Sequence, residues 1–253
     1  MILVSFKTHL FISLILLSTL ASVPIQAKEV RIAVASNFKN AMSLVVEAYR
    51  ELSGNKVVVS YGSTGKHYAQ LINGAPIDIF YAADDYRPKL LEQKGIAVAN
   101  TRFTYALGKL ILWTSLQSKV GLNQDVLINN DFRYLALANP KLSPYGQAAF
   151  QVLSNLGLVS QLEGKVIKGE NIAQTFQFVD SRNADLGFVA YSQIVHTDNT
   201  NHVSYWVVPQ ELYQPIVQQA IMINNTKASS AFFDFTKSEK AREIIRQAGY
   251  ELP

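Results

Sequence analysis

The sequence predicts an α/β protein of two units, which the chain joins by crossing between them twice. Short β-branched runs alternate with amphipathic helical patterns along nearly all of it. A late strand-like run, Gln218 to Ile223, is placed to return the chain to its first unit. No internal repeat, low-complexity tract or Gly/Ser linker interrupts the pattern. With 253 residues the chain is long enough for one large domain or two modest ones, each able to bury a core.

The amino end stands apart. Met1 to Ala27 has a basic start (Lys7, with His9 nearby), no acidic residue, an apolar run from Leu10 to Ala21, and Ile25-Gln26-Ala27 before a cut. That is the layout of a secretory signal peptide, 1–27. The run is too short to span about 30 Å of hydrocarbon. The chain has no cysteine, so neither a lipid at the cleavage site nor a disulfide is expected. A soluble chain starting near Lys28, without a membrane anchor, follows.

The elements come in order. Val30 to Ala35 (VRIAVA) reads as a strand, and Phe38 to Leu52 as a helix with Met42, Val45, Val46 and Tyr49 on one stripe. Lys56 to Ser60 is a strand, Gly65 to Asn73 a helix, and Ile77 to Tyr81 a third strand. It leads to a helix through Lys89, Leu90 and Leu91 that stops at Gly95. Right-handed crossovers and a largely parallel, covered sheet follow from this alternation. Farther on, Lys109 to Thr114 and Tyr134 to Ala138 read as strands, and Gln147 to Leu156 as a helix ended by Gly157. Ile172 to Asp180 is a helix, Leu186 to Val189 and Val203 to Val208 are strands, and Ala228 to Gln247 is a closing helix. Crossings near 105–110 and 210–217 give one unit of 28–108 plus 216–253 and another of 109–215.

The chain has 23 Lys and Arg against 19 Asp and Glu, and loss of Lys7 with the leader leaves 22 against 19. So mild an excess is compatible with an anionic ligand without demanding one. No basic cluster is interleaved with aromatics, which argues against nucleic acid.

Four junctions place small polar residues just before a helix: Ala35-Ser36-Asn37-Phe38, Tyr61-Gly62-Ser63-Thr64-Gly65-Lys66, Asn139 to Gly146, and Gly169-Glu170-Asn171-Ile172-Ala173. Helix starts leave N–H groups unpaired and carry partial positive charge, which suits anions. In open α/β sheets, ligands lie beyond the carboxyl ends of the strands, where these junctions fall. Singly, each is accounted for by ordinary capping. Enzyme signatures are weaker. His67, His196 and His202 lack metal-ligand spacing, and Ser63 is not in a GxSxG elbow. Asp84-Asp85 precedes a helix as an N-cap and first-turn acid would, although the pair also suggests a metal or paired carboxylates.

The segments Ala33 to Phe38, Tyr61 to Lys66, Tyr68 to Leu71, Asn73 to Phe80, Ala82-Ala83-Asp84, Leu107 to Leu110, Ala138-Asn139-Pro140, Pro144-Tyr145-Gly146 and Asp185 to Ala190 carry a resemblance. In order and spacing the chain resembles the molybdate-binding proteins of ABC importers, within the periplasmic binding-protein superfamily of type II. The resemblance implies two α/β lobes closing on an oxyanion, no catalysis, no cofactor and no directly ligated metal. It also implies a periplasmic monomer that delivers molybdate or tungstate to an inner-membrane ABC permease. The implied ligand residues are Ser36, Asn37, Ser63, Thr64, Tyr145 and the backbone of Ile172. Two departures stand out: Ala190, with Tyr191 one step on, where some relatives bind through tyrosine, and Thr64 where serine is usual. Sulfate or another oxyanion is the near alternative, and a secreted hydrolase using Ser63, which needs a base beside it, the distant one.

Overall fold

The computed structural model describes residues 29–116, 121–195 and 204–253. The leader at 1–27, His196, His202 and the start of the strand expected at Val203 lie outside them.

Two five-stranded sheets organise the chain. The first holds β1 (Val30–Ala35), β2 (Val57–Gly62), β3 (Ile79–Tyr81), β4 (Phe103–Gly108) and β10 (Ile216–Met222), in the order β2-β1-β3-β10-β4. The second holds β5 (Leu110–Thr114), β6 (Leu135–Ala138), β7 (Val166–Gly169), β8 (Leu186–Ala190) and β9 (Ser204–Val207), in the order β7-β6-β8-β5-β9. Helices α1 (Lys39–Ser53), α2 (Thr64–Ile72), α3 (Tyr86–Gln93), α8 (Lys227–Phe235) and α9 (Glu239–Gln247) accompany the first sheet. The segments α4 (Asp125–Ile128), α5 (Pro144–Asn155), α6 (Val159–Leu162) and α7 (Ile172–Asp180) belong with the second. This is the two-lobed α/β arrangement of type II.

The two sheets share one plan. β1 runs parallel to β2 and β3, and β6 parallel to β7 and β8. One strand in each is reversed, β10 against β3 and β4, and β5 against β8 and β9. The expected parallel sheet is therefore interrupted at its fourth position, by a strand adjoining a crossing. The first crossing takes a single residue, Lys109, between β4 and β5. One extended run from 103 to 114 thus serves two sheets, which is why periodicity alone merged Phe103–Gly108 with the crossing.

Burial follows the residue types. Central β1 is apolar and all but covered, whereas edge β2 alternates inward and outward. On α1, Met42, Val45 and Tyr49 face the core as the helical stripe predicts, and left-handed Gly54 at φ 66° ends it. The helix expected over Ala228 to Gln247 is two. Ser238 leaves the helical conformation and its Oγ accepts the Ala241 N–H, starting α9 afresh. Short β7, half-exposed, carried too little apolar signal to be read as a strand.

Candidate functional site

β1 and β2 end in register at Ala35 and Gly62, so Ser36 and Ser63 leave neighbouring strands side by side. β6 and β7 likewise end together at Ala138 and Gly169, and the residues after them start α5 and α7. These two pairs of strand ends meet. Gly65 of one lobe donates its N–H to the Leu142 carbonyl of the other at 2.8 Å. Ser36 Oγ donates to Asn171 Oδ1 at 3.2 Å and lies 3.4 Å from the Ala173 nitrogen, whose N–H points at it. All four polar junctions therefore converge, and all six candidate residues are buried.

Their roles differ. Ser63 occupies the cap position of α2, yet its Oγ is buried without a hydrogen-bond partner. Thr64 Oγ1 accepts the Ala83 N–H at 3.0 Å, which leaves its proton to donate. As first residues of α2 and α7, Thr64 and Ile172 have no helical acceptor for their N–H groups. The Ile172 carbonyl is held by Gln193 Nε2 at 3.1 Å. Asn37 is turned away from the donor role its type suggests. Its Nδ2 is engaged by Gln218 Oε1 at 2.7 Å and Tyr250 Oη at 3.0 Å, leaving its backbone N–H.

Behind these residues lies a polar network between the lobes. Tyr250 Oη donates to the Asn37 carbonyl at 2.8 Å, and Ser192 Oγ of the second lobe donates to Tyr250 Oη at 2.8 Å. Gln218 Nε2 reaches Tyr145 Oη at 3.4 Å. Burial, reinforced by neighbouring phenols, raises Tyr105 and Tyr145 well above the usual phenol range, so both remain protonated. Gln193, Gln218, Ser192 and Tyr250 were not singled out from the sequence. The one available signal was the polar pair Gln218-Gln219 inside the apolar run Ile216–Met222.

The other departure lies at Ala190. Ala190 is buried and its N–H donates to Gln193 Oε1 at 2.9 Å, while the Tyr191 ring packs on Tyr205 at 5.8 Å. No tyrosine enters from this strand end. Close packing imposes glycine at Gly146, where a Cβ would stand 2.1 Å from the Ala138 carbonyl oxygen. Asp85 holds the cap position of α3, but it is the Asp84 carboxylate that accepts the Arg87 N–H, at 3.0 Å. Burial raises its carboxyl above the ordinary value, opposed by the Arg87 guanidinium that pairs with it. His67, on α2 behind Ser63, is kept neutral by burial, which lowers its pKa. At the rim Lys66 pairs with Glu170 across the lobes at 2.9 Å. A separate groove of about 850 Å³ between the lobes, lined by Asp84, Arg87, Lys141 and Phe150 among others, contains none of the six candidate residues. The buried junctions, which hold the unpartnered Ser63 hydroxyl, are the better candidate site than this open groove.

Two α/β lobes linked by paired crossings, with four polar helix starts gathered where they meet, define the class of two-lobed solute-binding proteins. Comparison agrees. Residues 30–251 match the model of the bacterial extracellular solute-binding proteins. Molybdate-binding protein ModA of Azotobacter vinelandii is 45% identical over 230 residues, 90% of this chain and 91% of that one. The ModA of Rhodobacter capsulatus is 39% identical over 232 residues, 90% of each chain. The solved Azotobacter vinelandii periplasmic molybdate-binding protein superimposes with a TM-score of 0.83 and 39% identity, over 88% of this chain and 99% of that one. The chain belongs to the bacterial extracellular solute-binding protein family, in its ModA branch.

Proposed function

We propose that this protein binds molybdate between its lobes and presents it to an inner-membrane ABC permease. The observation that carries the reading is the buried, unpartnered Ser63 hydroxyl beside the start of α2. An unpaired buried hydroxyl costs stability, and an anion accepting its proton removes that cost. Thr64 and Tyr145 hydroxyls would join it, and Ser36 would too once its proton turns from Asn171 Oδ1 to the anion, with backbone N–H groups of Asn37, Thr64 and Ile172. The nearby side-chain carbonyls, Asn171 Oδ1 and Gln218 Oε1, already accept internal donors, the Ala173 and Gln174 N–H groups and the Asn37 amide. What remains for the ligand is donors, which suits a full dianion and rejects hydrogen phosphate, whose O–H needs an acceptor. Hydrogen bonds to a charged group contribute about 1.5–3 kcal/mol each, so about six of them support sub-micromolar affinity after the cost of closure.

The site holds the anion through neutral groups, without a cofactor or a directly ligated metal. The reading is binding rather than catalysis, in keeping with the solute-binding relatives. Export by the leader at 1–27, a periplasmic location, a monomeric state and freedom from a membrane anchor complete the reading. The ModA relatives support it. Tungstate shares the charge and shape of molybdate and is the second ligand expected.

Calorimetric titration of dialysed protein with molybdate, tungstate, sulfate and phosphate tests the proposal. One-to-one molybdate binding with phosphate ignored is expected. Heat from sulfate alone would redirect the assignment to that anion, and silence from all four would end it.

A further inference from the structure

Gln218 is fully buried on β10, next to the β-bulge at Gln218/Gln219, and its amide faces both lobes. Oε1 receives Asn37 Nδ2 at 2.7 Å and lies 3.2 Å from Tyr105 Oη. The second Asn37 N–H goes to Tyr250 Oη, so the Asn37 amide turns its nitrogen toward Gln218 and requires an oxygen there. The other end of the Gln218 amide is then an N–H donor, and it points at Tyr145 Oη across the lobe boundary at 3.4 Å. Gly108 makes the approach possible. A Cβ on it would stand 2.3 Å from Tyr145 Oη and 2.9 Å from Gln218 Nε2.

We propose that Gln218 is a positioning residue that sets the polarity of the site, by obliging the Tyr145 hydroxyl to accept internally and so to donate its own proton to the bound anion. The inference rests on the oxyanion reading and deepens it. Tyrosine hydroxyls rotate, and one facing a carboxylate or a free carbonyl would spend its proton there. Gln218 removes that option, and through Asn37 it also orients the carbonyl side of the first junction. One side chain thereby links a ligand residue of each lobe, which makes the donor set complete only when the lobes are together.

Gln218→Glu tests this. An ionised carboxylate still accepts from Asn37 and Tyr105, but it now also attracts the Tyr145 proton away from the ligand. Affinity for molybdate at pH 8 is expected to fall about tenfold to a hundredfold, the worth of one hydrogen bond to a charged group. It should recover toward pH 6.5 as the carboxyl regains a proton and again donates to Tyr145. The groups around position 218 are the phenols of Tyr105, Tyr145 and Tyr250 and the Asp84–Arg87 pair. All are present in the native chain measured alongside, so a trend confined to the variant belongs to position 218.

A double-mutant cycle with Tyr145→Phe separates positioning from plain charge repulsion. The Gln218→Glu loss should largely vanish in the Tyr145→Phe background. Equal losses in both backgrounds, or native affinity in Gln218→Glu at pH 8, overturn the assignment while leaving molybdate binding intact. Should the buried carboxylate prevent folding, Gln218→Met in the same cycle reads the same coupling, and equal losses again overturn it. A native chain that takes up neither molybdate nor tungstate overturns the functional reading and this inference with it.

Discussion

Ser63 and Thr64 are adjacent hydroxyls with opposite obligations. Thr64 Oγ1 satisfies the buried Ala83 N–H, so Thr64→Val strands that donor and should destabilise the ligand-free protein by about 1–3 kcal/mol. Ser63 Oγ satisfies nothing inside the protein, so Ser63→Ala should leave ligand-free stability unchanged or higher while weakening molybdate binding about tenfold or more. Denaturant unfolding and calorimetry on both variants check the contrast. A large loss of stability in Ser63→Ala would mean that its hydroxyl is structural. The pair stood out in the sequence because flanking glycines let backbone approach a ligand closely, even though capping alone accounts for hydroxyls before a helix. The role of Asn37 was not. Its partners Gln218 and Tyr250 lie 181 and 213 residues away, beyond any local pattern.

At the scale of elements, the site is a set of helix starts whose caps double as contacts between lobes. Asn171 Oδ1 accepts the N–H groups of Ala173 at 3.0 Å and Gln174 at 3.1 Å, and receives Ser36 Oγ from the other lobe. Asn171→Ala should therefore cost about 1 kcal/mol of stability, the usual price of a lost cap. It should also weaken anion binding, because Ile172, the first residue of α7, loses its fixed frame. Chemical denaturation with an unchanged m-value, paired with titration, measures the two effects, and a stability loss with native affinity would confine Asn171 to capping. Helix starts marked by Ser, Thr, Asn or Pro were readable from sequence, as at Ile172–Asp180. The restart of α9 at Ser238 was missed because apolar spacing continues on both sides of the break.

At the scale of the molecule, closure brings two backbones into direct contact at Gly65 and Leu142. A Cβ at Gly65 would lie 2.9 Å from the Leu142 Cα and 3.1 Å from its carbonyl oxygen, neither of which can yield cheaply. Gly65→Ala should therefore leave each lobe as stable as before, or slightly more so through better helix propensity in α2. It should nonetheless obstruct closure and weaken molybdate binding by about tenfold or more. Small-angle scattering of dialysed protein should show the native chain contracting on addition of molybdate and the variant contracting less. Full contraction with native affinity would show that the lobes accommodate the extra methyl. The Lys66–Glu170 pair also spans the boundary, but both side chains are about half exposed, so it adds little at ordinary salt.

Sequence alone determined the alternation of strands and helices, the two α/β units and the polar helix starts that gather where the lobes meet. Those features are local: side-chain shape sets strand or helix preference, and caps act within one turn. Tertiary structure alone decided that one strand in each sheet runs backwards, that Phe103 to Thr114 divides between two sheets, and which hydroxyl remains free. These depend on partners brought together from opposite ends of the chain. The Gln218 amide, which joins Asn37 to Tyr145, has no meaning until β10 has been laid between β3 and β4.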